Sequence, residues 1–118
     1  MSGPTMREVG GAYVAATAVA VGDVRLAPGA SLWFQVVARA DDAAIRIGAN
    51  SNVQDLCMLH PEPGEDLEIA DHVTIGHAAV VHGRRIGPKT LIGMGSIVLA
   101  RAEIGAGCIV AAGALVKE

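Results

Sequence analysis

The sequence has almost no aromatic side chains: one Trp, one Tyr and one Phe in 118 residues. Its hydrophobic residues make up 52% of the chain and are therefore nearly all aliphatic, and there are 15 glycines beside them. A core built around large rings is excluded. The core must come from small and medium aliphatic side chains in a regular arrangement.

Basic charge, long apolar runs and cysteines are also scarce. Nine Lys and Arg stand against twelve Asp and Glu, so we expect neither nucleic acid nor a membrane surface as a partner. The apolar run from Ala12 to Val21 has ten residues, too few to cross a bilayer, and it is in phase with the repeat described below. We read it as structure rather than a signal peptide and expect a cytoplasmic protein. Cys57 and Cys108 are too few for a disulfide scaffold and are expected as buried free thiols.

An aliphatic residue recurs every six positions over most of the chain. Its row has seventeen members, of which fifteen are Val, Ile or Leu and two are Ala. They are Val14, Ala20, Leu26, Leu32, Ala38, Ile47, Val53, Leu59, Ile69, Ile75, Val81, Ile86, Ile92, Val98, Ile104, Val110 and Val116. A period of six fits neither an α-helix nor one long strand, but it is typical of a parallel β-helix, in which three short strands make one triangular coil.

This row predicts an all-β triangular prism of five to six coils. Residues 12–118 are expected to form one β-helix domain, preceded by an N-terminal segment, residues 1–11. The residue four positions after each marked aliphatic is usually small or β-branched, and both sets are expected to point inward. Two intervals between marked aliphatics are longer than six residues. They predict that Asp41 to Ala44 and Pro61 to Glu68 bulge out of the coil as loops, and functional residues are expected in these loops.

Two histidines follow marked aliphatics. His60 and His82 are three repeat units apart, which places them on the same face of adjacent coils, about one strand spacing from each other. Arg39 continues their column one coil earlier. Two stacked imidazoles can chelate one metal ion, although surface histidines satisfied by their neighbours are the alternative interpretation.

His77 falls on a different face, with Asp55 directly beneath it, and His72 falls at a corner without a column partner. His77 need not reach the same ion within its own chain. A neighbouring chain in a closed threefold assembly could supply it. Three histidines and an open position for water make the arrangement of a catalytic Zn²⁺ site.

Several segments together resemble gamma-class carbonic anhydrases over about residue 12 to the C-terminus. They are Gly22-Asp23-Val24, Leu32-Trp33-Phe34, Arg39-Ala40-Asp41, Ile45-Arg46-Ile47-Gly48, Asn52-Val53-Gln54-Asp55, His60, Val73-Thr74-Ile75-Gly76-His77 through His82-Gly83, and Leu91-Ile92-Gly93-Met94-Gly95. The resemblance implies a left-handed β-helix and a homotrimer with one divalent metal at each subunit interface. It also implies that the C-terminal helix of the family is missing here.

The resemblance further implies individual site residues. His60, His77 and His82 match the metal ligands of the family. Gln54 and Asn52 match the polar cluster beside the metal-bound solvent. Charged residues that link subunits are matched by Arg39, Asp41 and Asp55. For the last three, a simple interface ion pair is the favoured interpretation over direct catalysis. Ala40 and Leu56-Cys57 depart from the family pattern, which has glycine at position 40 and glycine with a small polar residue at 56–57.

The implied activity is reversible hydration of CO₂ to bicarbonate. A divalent metal, Zn²⁺ with Co²⁺ or Fe²⁺ as alternatives, lowers the pKa of bound water and so supplies hydroxide at neutral pH. Gln54 would orient the hydroxide or hold the product oxygen. The Pro61 to Glu68 loop beside His60 carries Glu62, Glu65, Asp66 and Glu68, and one of these acids, with Glu62 as the candidate, would shuttle protons unless the loop is simply solvated. Two other functions remain open: a metal-binding trimer of the same family with little or no activity, and a hexapeptide acyltransferase using acyl-CoA.

Overall fold

A computed structural model describes residues 5–118 as a left-handed parallel β-helix of about six coils. The predicted all-β prism is therefore confirmed. This part of the chain contains no helix, and so none that could cross a membrane. Residues 1–4 of the expected N-terminal segment lie outside the described residues.

Each coil contributes strands to three flat faces. Face 1 consists of β2 (Ala12–Ala15), β4 (Ser31–Leu32), β6 (Asn52–Val53), β9 (Thr74–Ile75), β12 (Leu91–Ile92) and β15 (Ile109–Val110). The long strands β3 (Val19–Leu26) and β5 (Val37–Ile47) bend through faces 2 and 3. Face 2 continues with β7 (Met58–Leu59), β10 (Val80–Val81), β13 (Ile97–Val98) and β16 (Leu115–Val116). Face 3 continues with β8 (Leu67–Ile69), β11 (Arg85–Ile86) and β14 (Glu103–Ile104).

Every marked aliphatic lies in one of these strands. In coils 2–5 all of them are buried, and burial of each Val, Leu or Ile contributes roughly 1.5–3 kcal/mol to stability. The two ends of the prism differ from this pattern. Ala20 in coil 1 is exposed, against the expectation that it points into a sealed core, and Val110 and Val116 in coil 6 are only half-buried. The reason is that a β-helix covers each coil with the next. Among the described residues, only β1 lies beyond coil 1, and it covers face 1 alone, while no strand lies beyond coil 6.

The corners between faces bury small polar side chains whose hydrogen bonds stay within the prism. Ser51, Thr90 and Ser96 each donate their hydroxyl to a backbone carbonyl, at 2.6, 2.8 and 2.9 Å. Cys57 is also buried and donates its thiol to the Gly76 carbonyl at 3.0 Å. Burial raises the pKa of the Cys57 thiol to about 11. The expectation of two buried thiols is thus confirmed for Cys57, whereas Cys108, near the open end, is half-buried.

The extra residues Asp41 to Ala44 bulge as expected, but the prediction that they form a loop is wrong. These residues stay inside strand β5 as a bulge: Gly22 pairs with Ala40 and Val24 with Ile45, so four residues of β5 stand opposite the single Asp23. Gly22 has a φ of +79°, and a Cβ there would lie 2.0 Å from the Ala40 carbonyl oxygen. Only glycine fits beside this bulge.

The second predicted loop is present but shorter. Pro61 to Asp66 lie outside strands, and β8 begins at Leu67. At the N-terminal end, β1 (Met6–Val9) pairs antiparallel with β2 across Gly10 and Gly11, both with positive φ. The repeat does not extend to β1, although a Gly-Gly pair between two short strands is a hairpin signal.

The outward-pointing residue just before each inward aliphatic differs strongly between faces. On face 2 this row is apolar throughout: Val19, Val37, Met58, Val80, Ile97 and Leu115. On face 3 it is charged throughout: Arg25, Arg46, Glu68, Arg85 and Glu103. On face 1 it is polar in coils 2–4 and apolar elsewhere: Tyr13, Ser31, Asn52, Thr74, Leu91 and Ile109.

Candidate metal centre

His60 and His82 lie side by side at the ends of two neighbouring strands of face 2. Leu59 pairs with Val81, which stacks the two residues that follow them. The imidazole centroids are 5.3 Å apart, with the rings tilted by 34°. Their side chains are 21% and 29% exposed, so both are half-buried yet reachable from outside. The structure therefore brings together the pair that the spacing predicted.

Hydrogen bonds fix the orientation of the His82 ring. Its Nδ1 donates to the backbone carbonyl of His60, which leaves Nε2 directed away from the prism. Metal-binding histidines usually donate their second ring nitrogen to a carbonyl or carboxylate in this way. The Glu62 carboxylate lies 2.6 Å from this Nε2. An ion bound at His82 Nε2 would therefore lie next to the Glu62 carboxylate.

His60 is part of an ion-pair cluster at the bulge of β5. Arg39 Nη2 donates to His60 Nε2 at 3.0 Å, and Arg39 Nε lies 3.4 Å from the Asp41 carboxylate. The structure thus pairs Arg39 with Asp41 within one chain. Both side chains are nearly half-exposed, so this pair contributes less than about 1 kcal/mol.

Sequence reasoning did not identify Asp42. Ligand atoms of Asp41, Asp42 and His60 lie within 4.8 Å of one another, because the bulge turns both carboxylates toward face 2. The extra residues between Ala38 and Ile47 were the signal for this bulge, but a repeat count shows only that residues are added. It does not show where their side chains point.

His77 lies on face 1, beside a cavity of about 570 Å³. The cavity is lined by Ser31, Trp33, Phe34, Asn52, Gln54, Asp55 and His77. Gln54 Nε2 donates to Asn52 Oδ1 at 3.1 Å, and Asn52 Nδ2 donates to Thr74 Oγ1 at 3.1 Å. These amides are therefore held in a fixed chain of hydrogen bonds. Asp55 lies one coil from His77, as predicted.

Within one chain the predicted site is divided between two faces. His60, His82, Arg39, Asp41 and Glu62 are on the side of face 2, and His77, Asp55, Gln54 and Asn52 line the cavity on face 1. The structure does not bring His77 to the other two histidines, and it does not bring Asp55 to Arg39. His72 lies at an exposed corner with a φ of +56° and belongs to neither group.

The acids of the Pro61–Asp66 loop and its neighbour Glu68 have different partners. Asp66 accepts hydrogen bonds from the Ala44 amide and from Arg46, both at 2.9 Å, and these hold the pKa of its carboxyl below the usual 3.8. Glu68 pairs with Arg85 at 3.1 Å. Glu62 is the loop acid that contacts a candidate metal ligand.

The donor set on face 2 fits a divalent cation. Two imidazoles are held on rigid adjacent strands, one of them oriented by a backbone carbonyl. Imidazole nitrogens suit Zn²⁺, Co²⁺ and Fe²⁺ alike. A catalytic Zn²⁺ site has three protein ligands and an open position. Face 2 supplies two imidazoles, and the third matched histidine, His77, lies on the other face.

Comparison with known proteins places this repeat in a family. Residues 85–118 match the model for bacterial transferase hexapeptide (six repeats). A crystal structure of a hexapeptide transferase family protein from Anaplasma phagocytophilum is 33% identical, with a TM-score of 0.68, and the match covers 91% of this chain and 70% of that one. The chain therefore belongs to the hexapeptide-repeat family.

The curated relatives of this chain include carbonic anhydrases. A carbonic anhydrase of Geobacillus kaustophilus (strain HTA426) is 42% identical over 105 residues, which is 89% of this chain and 58% of that protein. The gamma carbonic anhydrase 1, mitochondrial, of Arabidopsis thaliana is 37% identical over 113 residues, 91% of this chain and 41% of that protein. The chain spans about half the length of these relatives. The resemblance to gamma-class carbonic anhydrases is thereby confirmed at the level of family.

Proposed function

We propose that three copies of this chain form a trimer that binds one divalent metal at each interface and hydrates CO₂ to bicarbonate reversibly. The ligands would be His60 and His82 of one subunit and the partner subunit's His77, with Zn²⁺ as the expected ion. The observation that carries the proposal is the stacked, oriented pair His60 and His82 on one face, with His77 on another. Relatives named carbonic anhydrase support the reaction.

The outward rows support contact between face 1 of one copy and face 2 of the next. Face 2 carries Arg39, His60 and His82 directly after the inward aliphatics of coils 2–4, and the apolar Val21 and Leu99 take this position in coils 1 and 5. Face 1 is polar in the same coils and apolar in coils 1, 5 and 6. Parallel, in-register copies would place the polar residues of face 1 opposite Arg39, His60 and His82 in coils 2–4, and apolar residues opposite apolar ones in coils 1 and 5. Face 3, with its charged row, would face solvent.

The chemistry would be divided among few residues. When bound, a divalent metal held by three imidazoles lowers the pKa of a water ligand toward 7 and so supplies a hydroxide nucleophile at neutral pH. Gln54, fixed by Asn52, would orient that nucleophile and hold a product oxygen. Glu62, whose carboxylate contacts His82, would accept the proton released from that water and pass it to buffer. Arg39 and Asp41 would hold His60 and contact the neighbouring subunit.

Metal content tests the ligand assignment directly. We expect about one Zn²⁺ or Co²⁺ per chain in the wild type and at least a tenfold lower affinity in His82→Ala. His72→Asn is the matched control, because it removes a histidine outside the site and Asn tolerates the positive φ found there. Equal metal content in His82→Ala and wild type would refute the site.

Subunit mixing tests whether the ligands are shared. We expect His77→Ala and His82→Ala each to lose metal when prepared alone. When the two are unfolded and refolded together in equal amounts, about a quarter of the interfaces regain all three histidines if subunits assort at random. Metal recovery near that fraction supports the shared site. No recovery would mean that the three histidines do not meet at an interface.

Stopped-flow hydration of CO₂ by the same metal-loaded samples distinguishes the remaining functions. Metal-dependent hydration that is lost in His82→Ala supports the carbonic anhydrase. Full metal content without hydration favours a metal-binding trimer of the same family. No metal in any preparation favours an acyltransferase, for which acetyl-CoA binding is the next measurement.

A further inference from the structure

All three aromatic side chains of this protein lie on or beside face 1, in coils 1 and 2. Tyr13 pairs across the strands with Ser31, and Trp33 and Phe34 follow in coil 2. Aromatic residues make up only 3% of the chain. Their concentration in the two coils before Asn52 and Gln54 is therefore a local feature and not part of a general core.

Trp33 is held in one orientation by two contacts. Its Nε1 donates to Ser31 Oγ at 2.9 Å, and its ring meets Phe34 edge-on, with centroids 6.0 Å apart at 76°. Its backbone amide donates to the Val53 carbonyl, which places it directly above Gln54 in the next coil. The side chain is nevertheless 37% exposed. A fixed, exposed indole at the wall of a cavity is a preformed binding surface.

The cavity beside His77 thus has two chemically different walls. Asn52, Gln54 and Asp55 make one wall polar, and Trp33 and Phe34 make the other apolar. Carbon dioxide is uncharged and has no hydrogen to donate, so it gains from an aromatic surface. Bicarbonate is charged and gains little from it.

We propose that Trp33 and Phe34 form an apolar subsite that holds CO₂ against Gln54. The subsite deepens the proposed function and rests on it. Trp33 is then a specificity-determining residue: it retains the uncharged reactant at the polar wall and contributes little to the affinity for the anion. Among the described residues, the only other ring that lines this cavity is the imidazole of His77.

The test uses the Co²⁺-loaded protein and the relaxation of ¹³C in dissolved CO₂ and bicarbonate, which a nearby paramagnetic ion accelerates. In Trp33→Ala we expect the paramagnetic acceleration of ¹³C relaxation in CO₂ to fall about tenfold, because a small apolar contact is lost. The acceleration in bicarbonate should be retained. Trp33→Phe should preserve both. Glu103→Lys on face 3, outside both the cavity and the proposed interface, is the control and should change neither.

Kinetics give a second readout. In Trp33→Ala, kcat/KM should fall by the same factor, about tenfold, in hydration and in dehydration, because the equilibrium constant of the reaction fixes their ratio. Bicarbonate affinity, read from the Co²⁺ absorption spectrum, should stay unchanged. Phe34→Leu should show the same direction with a smaller change.

Each outcome is decisive. If the wild type binds no Co²⁺, the proposed function fails and the subsite with it. If the wild type binds Co²⁺ and relaxes both carbons but Trp33→Ala and Phe34→Leu behave identically to it, only the subsite is wrong. If Trp33→Ala and Trp33→Phe both dissociate the trimer in light scattering, Trp33 is a subunit contact and the subsite is overturned.

Discussion

Faces 2 and 3 of the prism have equivalent interiors and opposite exteriors. Leu59 and Val81 on face 2 and Ile69 and Ile86 on face 3 are all buried and continue the same repeat. Outside, face 2 presents aliphatic residues and two histidines, whereas face 3 presents arginines paired with acids. The inward row therefore determines the coil, and the outward row is free to carry a function.

Substitutions inside the prism should show no difference between the two faces. Leu59→Ala on face 2 and Leu67→Ala on face 3 remove the same buried side chain from the same coil. Each should lower the free energy of unfolding by about 2–5 kcal/mol. Urea unfolding measures this, at one fixed protein concentration because an oligomer's stability depends on it. A much larger loss on one face would show that the interiors are not equivalent.

Substitutions of outward-pointing residues should change the oligomeric mass on face 2 but not on face 3. Ile97→Lys on face 2 places a charge in the proposed interface and should reduce the trimer to the 12.0 kDa chain at micromolar concentration. Glu103→Lys lies on face 3 of the same coil and is the matched control, so its mass should remain that of the wild type. Light scattering coupled to gel filtration gives both masses. A trimeric Ile97→Lys would exclude this part of face 2 from the interface.

The reactivity of the two cysteines toward a thiol reagent compares the interior of the middle coils, where Cys57 is buried, with the C-terminal end of the prism, near the half-buried Cys108. The pKa of Cys57 is raised to about 11 by burial, and we expect its reaction with an aromatic disulfide at pH 8 to be at least about a hundredfold slower than that of Cys108. The folded protein should release one equivalent of product quickly, and the urea-unfolded protein two. Two fast equivalents from the folded protein would mean that the middle coils open readily.

The smallest effect belongs to the charged exterior of face 3. The pKa of Asp66 is lowered from its usual 3.8 by the Ala44 amide and Arg46. Its contribution to stability is therefore present above pH 3.8 and is lost as the pH falls below that value through the folded-state pKa. Asp66→Asn should lower the urea midpoint slightly at pH 6, with the difference shrinking at pH 3. An equal difference at both pH values would show that the carboxylate's charge is not the cause.

The six-residue row predicted the coils because the side chains it marks are the ones that pack. Ile75 and Ile92, for example, are adjacent in the same ladder. It predicted the stacking of His60 on His82 for the same reason. It predicted the extra residues at Asp41 to Ala44 but not that they stay inside strand β5, because a repeat detects added residues but not whether they leave the strand. It also missed the contact of Glu62 with His82, which depends on how a loop of two prolines and a glycine folds back.

The parallel ladder also has a consequence for how the chain reaches this structure. Val53 pairs with Ile75 and Ile75 with Ile92, so each new rung closes a loop of about one coil, and the entropic cost of closure is nearly the same at every rung. Folding can then start at any well-packed rung and spread in both directions, one coil at a time. Coils 3 and 4 carry both stacked histidines, so the proposed metal ligands would come into position with the first rungs if folding begins there.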